Sequence, residues 1–272
     1  MDKRKILFVS SEVMPYMPEN EMSKTAFDLA KAINQISGQI RIFMPRFGVV
    51  NERRHQLHEV IRLSGMNQVI NDNDMPLIIK VASIPKERMQ VYFIDNDELF
   101  KRKYVYADAD DKLFKDNDDR MIFFARGVVE TVKKLNWVPD IIHVHGWMAA
   151  FLPMYIKTFF KAEPLFMNSK IIFSIYNNGF KGKLPKTLAK KLTFDGIPEE
   201  DIASLKNATY YDLIAKAVAY SDAIVVASES LDDKTKKIIE AADKPVMEYV
   251  APEELKKEYT SFCQENLLDD EE

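Results

Sequence analysis

The chain is expected to fold as a single α/β domain on a doubly wound, mostly parallel, Rossmann-like sheet, and three observations lead there. Short runs rich in β-branched residues alternate with longer stretches of helical period. A length of 272 residues suits one large core better than two. No internal repeat interrupts the alternation.

The first strand covers residues 5–10, where Ile6-Leu7-Phe8-Val9 make an apolar run that ends on Ser10 and Ser11. A helical period follows over 22–36, then a strand over 40–44. Residues 57–64 read as an extra strand in an excursion, after which 77–82 and 90–94 resume the sheet. Helix 120–135 leads to strand 141–144, helix 147–160 to strand 170–174 and helix 210–219 to strand 223–227, and helix 230–241 closes the series. The runs 71–74 and 108–111 are polar turns rich in residues that bond their own backbone. Neither has the glycine and terminal glutamate of a calcium-binding loop. Leu255, Tyr259, Phe262 and Cys263 fall at helical spacing within 252–268, so one more amphipathic helix is expected to pack on the body. The expected organisation is a domain over residues 1–250, then a helix and acidic tail over 251–272. The final Asp269, Asp270, Glu271 and Glu272 are expected to fray.

Composition excludes several classes. The net charge of -4 offers no basic face for a nucleic acid. Cys263 is the single cysteine, so an internal disulfide and the paired-cysteine zinc motifs are excluded, and a cytoplasmic location is expected. The apolar run after Lys3, Arg4 and Lys5 is too short for a signal-peptide core, and the stretch 147–156 is about half a membrane span, so no membrane partner is expected. Eight glycines and no GxGxxG leave no turn to cradle a dinucleotide, and no cofactor is expected. A serine-hydrolase elbow, G-x-S-x-G, is missing too.

The remaining motifs occur in a telling order. Ile6-Leu7-Phe8-Val9-Ser10-Ser11-Glu12-Val13 begins the series; Met44-Pro45-Arg46-Phe47 follows the second strand; Tyr92-Phe93-Ile94-Asp95-Asn96 and the helix entry from Asp116 to Phe124 come next. Pro139-Asp140-Ile141-Ile142-His143-Val144-His145-Gly146-Trp147 is followed by Ala149-Ala150-Phe151-Leu152-Pro153. Ser174-Ile175-Tyr176-Asn177-Asn178-Gly179-Phe180-Lys181-Gly182 and Ser221-Asp222-Ala223-Ile224-Val225-Val226-Ala227-Ser228 complete the series. Together they resemble bacterial glycogen synthases and plant starch synthases, whose corresponding motifs read MPRY, YFLDN, DNxxRFxFF, PDIIHxHDW, TALVP, TIHNLAYQG and ADRVTTVSP. The resemblance covers roughly the first 230 residues, and such an ordered set is far more specific than one motif.

The resemblance implies a GT-B ancestor that moves glucose from ADP-glucose to the non-reducing end of an α-1,4-glucan. It implies that this half is the acceptor side, with an α-glucan or maltooligosaccharide as partner, and that most donor contacts belong to a second Rossmann domain beyond the motifs found here. Independent turnover is therefore not expected, because a departing diphosphate needs cations or oriented N–H groups. Where the family carries KTGGL, aligned on Val13-Met14-Pro15-Tyr16 and Leu29-Ala30-Lys31-Ala32, this chain has Pro18-Glu19-Asn20-Glu21-Met22. A carboxylate about 4 Å from a phosphate oxygen costs on the order of 4 kcal/mol at an effective dielectric near 20, which argues against ADP-glucose. In the alternative reading Asn20 or Ser23 caps the helix that starts there.

By the same resemblance His145 matches the histidine at the family's reaction centre, with Gly146 in place of aspartate and Met148 in place of histidine. His143 and His145 form an H-x-H pair, but no third or fourth ligand is evident, so no metal is expected. Tyr176 replaces the family's histidine; Tyr176 and Phe180 are candidates to stack on a sugar, and Asn177 to bond a sugar hydroxyl or its own loop. Tyr104 and Tyr106 lie in an acceptor-side region, either as sugar platforms or as loop packing beside Lys101-Arg102-Lys103. Cys263 reads as packing in the tail helix. Two functions follow: a synthase-like acceptor-side domain, inactive alone, or a non-catalytic module that binds glucan or a protein partner in glycogen metabolism.

Overall fold

The computed structural model describes residues 3–37 and 39–268, so the expectation for the last four residues lies outside the described residues. Among them the elements run β1 (Ile6–Ser10), α1 (Glu21–Ser37), β2 (Ile40–Pro45), β3 (His58–Glu59), β4 (Met66–Ile70), β5 (Asn73–Ile84), β6 (Met89–Asp95), α2 (Asp97–Phe100) and α3 (Asn117–Lys134). The second half adds β7 (Ile141–His145), α4 (Phe151–Lys157), β8 (Lys170–Ile175), α5 (Leu188–Phe194), α6 (Glu199–Ala203), α7 (Tyr210–Tyr220), β9 (Ala223–Val226), α8 (Asp233–Glu240), β10 (Val246–Met247) and α9 (Leu255–Asn266).

The sheet order is β10-β9-β8-β7-β1-β2-β6-β5-β3, with β4 also paired to β5. Strands from β10 to β6 are parallel, and β5 turns antiparallel against β6. Every residue of β1 and β7 is buried, as expected for strands covered on both faces. Winding reverses at β1. From there the chain passes through α1 to β2 on one side, and from β7 through α4, α7 and α8 towards β10 on the other.

Right-handed crossovers put α1 on one face and α4, α7 and α8 on the opposite face. That arrangement alone would leave the α1 face bare over β7 to β10. Helix α9 covers it, packing against α1 and β10. Tyr259 and Cys263 of α9 are fully buried, and the Tyr259 ring lies parallel to the His143 ring with centroids 5.2 Å apart. Leu255 and Phe262 pack on the same core, so the amphipathic spacing read from the sequence is the face that docks.

Two local expectations need correction. The helix expected over 147–160 is a short 3-10 turn, Trp147–Ala149, followed by α4. Pro153 has no N–H to donate, so it fits the first turn of a helix that begins at Phe151 and would break one begun at Trp147. The strand expected over 57–64 shrinks to His58–Glu59. The polar run 71–74 is a turn, and a tight one: Ile70 pairs with Asn73, and Asn71 and Asp72 take φ of +50° and +63°, the values a two-residue turn between twisted strands needs.

Removing the Tyr259 ring by Tyr259→Ala is expected to lower stability by about 3 kcal/mol in a urea titration, because it opens a cavity over His143. Lys257→Ala, on the exposed side of the same helix, should leave the midpoint unchanged.

Candidate functional site

The strand ends that meet at the reversal of winding are those of β1, β7, β8 and β9, and open parallel sheets bind ligands in the crevice beyond such ends. At the end of β1, Ser10 Oγ accepts from the Glu12 N–H (3.2 Å) and donates to the Glu12 carbonyl (2.7 Å), which fixes the turn. The Glu12 side chain is only 8% exposed. Its carboxylate accepts from the Tyr106 hydroxyl at 2.8 Å and from Asn20 Nδ2, and the Tyr106 oxygen is also 2.7 Å from Ser11 Oγ. Burial and the neighbouring Glu12 charge push the Tyr106 phenol well above its ordinary pKa, so it stays protonated and donating.

Tyr106 reaches this position because the helix entry at Asp116 holds its loop. Arg102 forks onto Asp116, Asn117 Nδ2 donates to the Tyr106 carbonyl (2.9 Å), and Arg120 donates to the Val105 carbonyl (2.7 Å) and to Asn117 Oδ1 (2.6 Å). The Arg120 guanidinium is fully buried, with the rings of Phe47, Phe100 and Phe114 at 5.3 to 5.5 Å. Two other motifs meet across the sheet, where Arg46 Nε bonds Asp95 Oδ1 at 2.8 Å and Lys80 reaches Asp95 Oδ2 at 2.9 Å. Buried charges are tolerated when paired in this way.

His143 and His145 lie on one face of β7, fully buried, with ring centroids 4.1 Å apart. His143 Nε2 is 2.7 Å from Ser174 Oγ, and the Tyr176 hydroxyl is 2.8 Å from His145 Nδ1. Burial lowers the pKa of both rings, His145 to about 3 and His143 well below its ordinary value. Both imidazoles are therefore neutral, and burial keeps the Tyr176 phenol protonated, so His145 Nδ1 and the Tyr176 hydroxyl share a hydrogen bond between neutral groups. His143 Nδ1 and His145 Nε2 have no protein partner among the described residues. Among those residues no group of three or more His, Cys, Asp or Glu is arranged to hold a metal.

The segment Pro18 to Met22 closes the crevice. Asn20 Oδ1 accepts from the Ser23 N–H (2.8 Å) and Ser23 Oγ from the Asn20 N–H (2.9 Å), a reciprocal cap that satisfies the start of α1. Ser23 Oγ also donates to the Pro18 carbonyl (2.8 Å), and Glu19 is exposed. The Glu21 carboxylate accepts from Ser228 Oγ, which in turn accepts from the Asn177 N–H at 2.9 Å. Met22 is 3% exposed and forms an apolar cluster with Tyr176 and Ala227. Gly146 has φ +73° and ψ 170°, a region essentially restricted to glycine, and a Cβ there would lie 2.5 Å from Met22 Sδ.

The other residues singled out in the sequence divide. Phe180 is half-buried, edge-on to Trp147 at 4.8 Å and to Tyr210 at 6.0 Å. Asn177 exposes a side-chain amide that has no protein partner among the described residues. Tyr104 is 40% exposed, with Lys103 Nζ 5.3 Å from its ring, and shares none of the bonds that tie Tyr106 to the crevice. Tyr176 is 1% exposed, so its ring has no face open to a sugar; the sequence made it a stacking candidate at the position of the family's histidine, but Met22 covers it. Sequence reasoning did not weigh Glu12, Ser174 or Ser228 as chemistry. An acid immediately after the first buried strand was the available signal for Glu12.

A parallel sheet with its crevice at this reversal, lined by a buried H-x-H strand, defines a doubly wound α/β domain whose candidate site lies at the topological switch point. The chain belongs to the starch synthase catalytic domain family, whose family model matches residues 5–238. It is 32% identical over 227 residues to a glycogen synthase of Pelodictyon phaeoclathratiforme, covering 83% of this chain and 46% of that protein. With a glycogen synthase of Chlorobium limicola it shares 34% identity over 205 residues, covering 75% of this chain and 41% of the relative. The chain thus spans under half the length of these relatives. The catalytic domain of starch synthase IV from Arabidopsis thaliana, bound to ADP and acarbose, shares the fold with a TM-score of 0.73 at 15% identity, covering 92% of this chain and 52% of that one. Among the described residues no helix is long and apolar enough to cross a membrane.

The neutral histidine pair predicts how stability depends on pH. Both rings have folded pKa values below that of an unfolded histidine, so the unfolded state binds more protons as pH falls below about 6.5. Each ring then lowers stability by about 1.4 kcal/mol per pH unit until the folded pKa is reached, about 3 for His145. Urea midpoints measured from pH 7 to pH 5 should fall accordingly, and His143→Phe should remove about half of this histidine contribution.

Proposed function

We propose that this domain holds an α-glucan on its acceptor-side face and does not by itself transfer glucose from ADP-glucose. The observation that carries this reading is the side chain of Met22, seated against Gly146 and Tyr176 in the crevice where a donor would approach. Glu21, within the 18–22 segment that stands where the family carries a lysine and glycines, puts a carboxylate next to it in place of the cations that a diphosphate requires. The cavity beside this plug, between α1 and residues 249–255, has a volume of about 130 Å³, whereas ligand pockets usually run to roughly 300–1,000 Å³. ADP-glucose is not a ligand on this reading.

His145 then maintains the shape of the crevice through Tyr176 instead of facing a sugar. The acceptor side keeps groups that recognise carbohydrate: the half-buried ring of Phe180, the free amide of Asn177, and Tyr104 and Tyr106 on their loop. Family membership and the acarbose bound by the structural neighbour support a glucan as the ligand class. Residues 1–250 act as the synthase-type domain and 251–272 as its covering helix and tail, in the cytoplasm.

Calorimetric titration of the protein with maltoheptaose and, separately, with ADP-glucose tests the reading. Maltoheptaose should give heat, Phe180→Ala should weaken that binding about fivefold, and ADP-glucose should remain silent up to about 1 mM. ADP-glucose binding tighter than that, or glucose transfer to maltoheptaose, would overturn the proposal.

A further inference from the structure

Two loops face each other across an open groove of about 600 Å³, away from the plugged crevice. One wall is residues 111–115, on the loop between α2 and α3; the other is residues 181–185, between β8 and α5. Lys112 and Lys115 stand on the first wall and Lys181 and Lys183 on the second, all exposed and none ion-paired among the described residues. Elsewhere Lys24, Lys31, Lys80 and Lys133 each have a carboxylate partner. The run 181–191 carries five lysines and no acid in a chain whose net charge is -4, and within it only Lys191 is ion-paired, to Asp118 and Asp119. A single acid, Asp111, shares the groove lining.

The backbone that carries these charges is fixed. Asp108 Oδ1 accepts from the N–H groups of Asp110 and Lys112, both at 3.0 Å, and Ala107 bridges to Leu113. Across the groove the Leu184 N–H donates to the Ala208 carbonyl at 2.8 Å. Between the lysines lie apolar side chains: half-buried Leu113 and Phe114, the latter with Arg102 stacked 4.8 Å above its ring, and buried Leu184. A small anion would leave this apolar lining wet, and a neutral glucan would offer the lysines nothing to pair with. A chain segment carrying both carboxylates and aliphatic side chains satisfies both.

We propose that this groove docks an acidic, leucine-bearing segment of a partner protein. The inference does not rest on the glucan reading, because it uses a different set of residues. The test is fluorescence anisotropy with a short fluorescein-labelled peptide in which glutamates alternate with leucines. Saturable binding that weakens with added salt is expected. The fourfold variant Lys112→Glu, Lys115→Glu, Lys181→Glu and Lys183→Glu should lose about tenfold or more in affinity, and the Lys→Gln version of the same four should also lose. A charge-matched control with Lys161, Lys206, Lys236 and Lys237 changed to Glu should stay within about twofold of the parent.

Thermal melts would establish that each variant is folded. Absence of saturable binding, equal loss in the groove and control variants, or equal binding of a glutamate-serine peptide would each overturn the proposal. Maltoheptaose titration of the same variants separates the two readings, since its heat is expected to survive loss of the peptide.

Discussion

The reversal of winding at β1 dictates most of what this domain has to solve. It opens a crevice beyond the ends of β1, β7, β8 and β9, and it also leaves one sheet face without crossover helices over β7 to β10. The crevice and the bare face lie on the same strands, so the two problems are coupled. Tyr259 of α9 covers His143 from the face, and Met22 at the start of α1 closes the space above Tyr176. Between them runs a buried polar array, His143 to Ser174 and Tyr176 to His145, that is tolerable only because its members bond one another.

Several departures from the family's motifs become intelligible as one set. Gly146 is needed because its backbone lies where only glycine is comfortable, and because Met22 occupies the place a Cβ would take. Tyr176 supplies a hydroxyl that hydrogen-bonds the neutral His145 ring and a ring against which Met22 packs. Glu21 finds Ser228, and Asn20 joins Glu12 to the cap of α1. Met22, Gly146 and Tyr176 pack on one another, whereas Glu21 and Asn20 find their partners in Ser228 and Glu12, positions that match the family's motifs. A Cβ at Gly146 alone would clash with Met22 Sδ, and loss of the Tyr176 hydroxyl alone would leave His145 Nδ1 unpaired.

Much of this was legible in the sequence, and for identifiable reasons. Buried parallel strands are continuous apolar runs, so Ile6–Ser10 and Ile141–His145 stand out, and α9 announces itself by the spacing of Tyr259 and Cys263. Helices α5 and α6 were missed because seven and five residues give too little of a helical period to detect. Strand β4 was missed because Met66–Ile70 buries only two of its residues, so its alternation is weak, and the signal lay in the Asn71-Asp72 turn beside it. At the site, the sequence identified His145 and the altered 18–22 segment, but burial decides what each does. Tyr176 read as a platform because it is an aromatic ring at the place of the family's histidine, and its packing with Met22 and Ala227 was not legible in the sequence.

Closing the crevice also changes where this surface can meet a ligand. Polar groups in the crevice are committed to one another: Glu12 to Tyr106 and Asn20, Glu21 to Ser228, Tyr176 to His145. Uncommitted polarity lies instead on the loops that the crevice supports, in the amide of Asn177 and the lysines on either side of Phe114. The motif from Asp116 to Arg120 serves both regions, since it positions Tyr106 on one side and, through Arg102 and Arg120, backs the Phe114 ring on the other. A buried arginine with three aromatic neighbours and a carbonyl to hold is a rigid support, and replacing it would disturb the loop at both ends. With Met22 packed into the crevice, the side chains left free to recognise a ligand are those on the loops beside it.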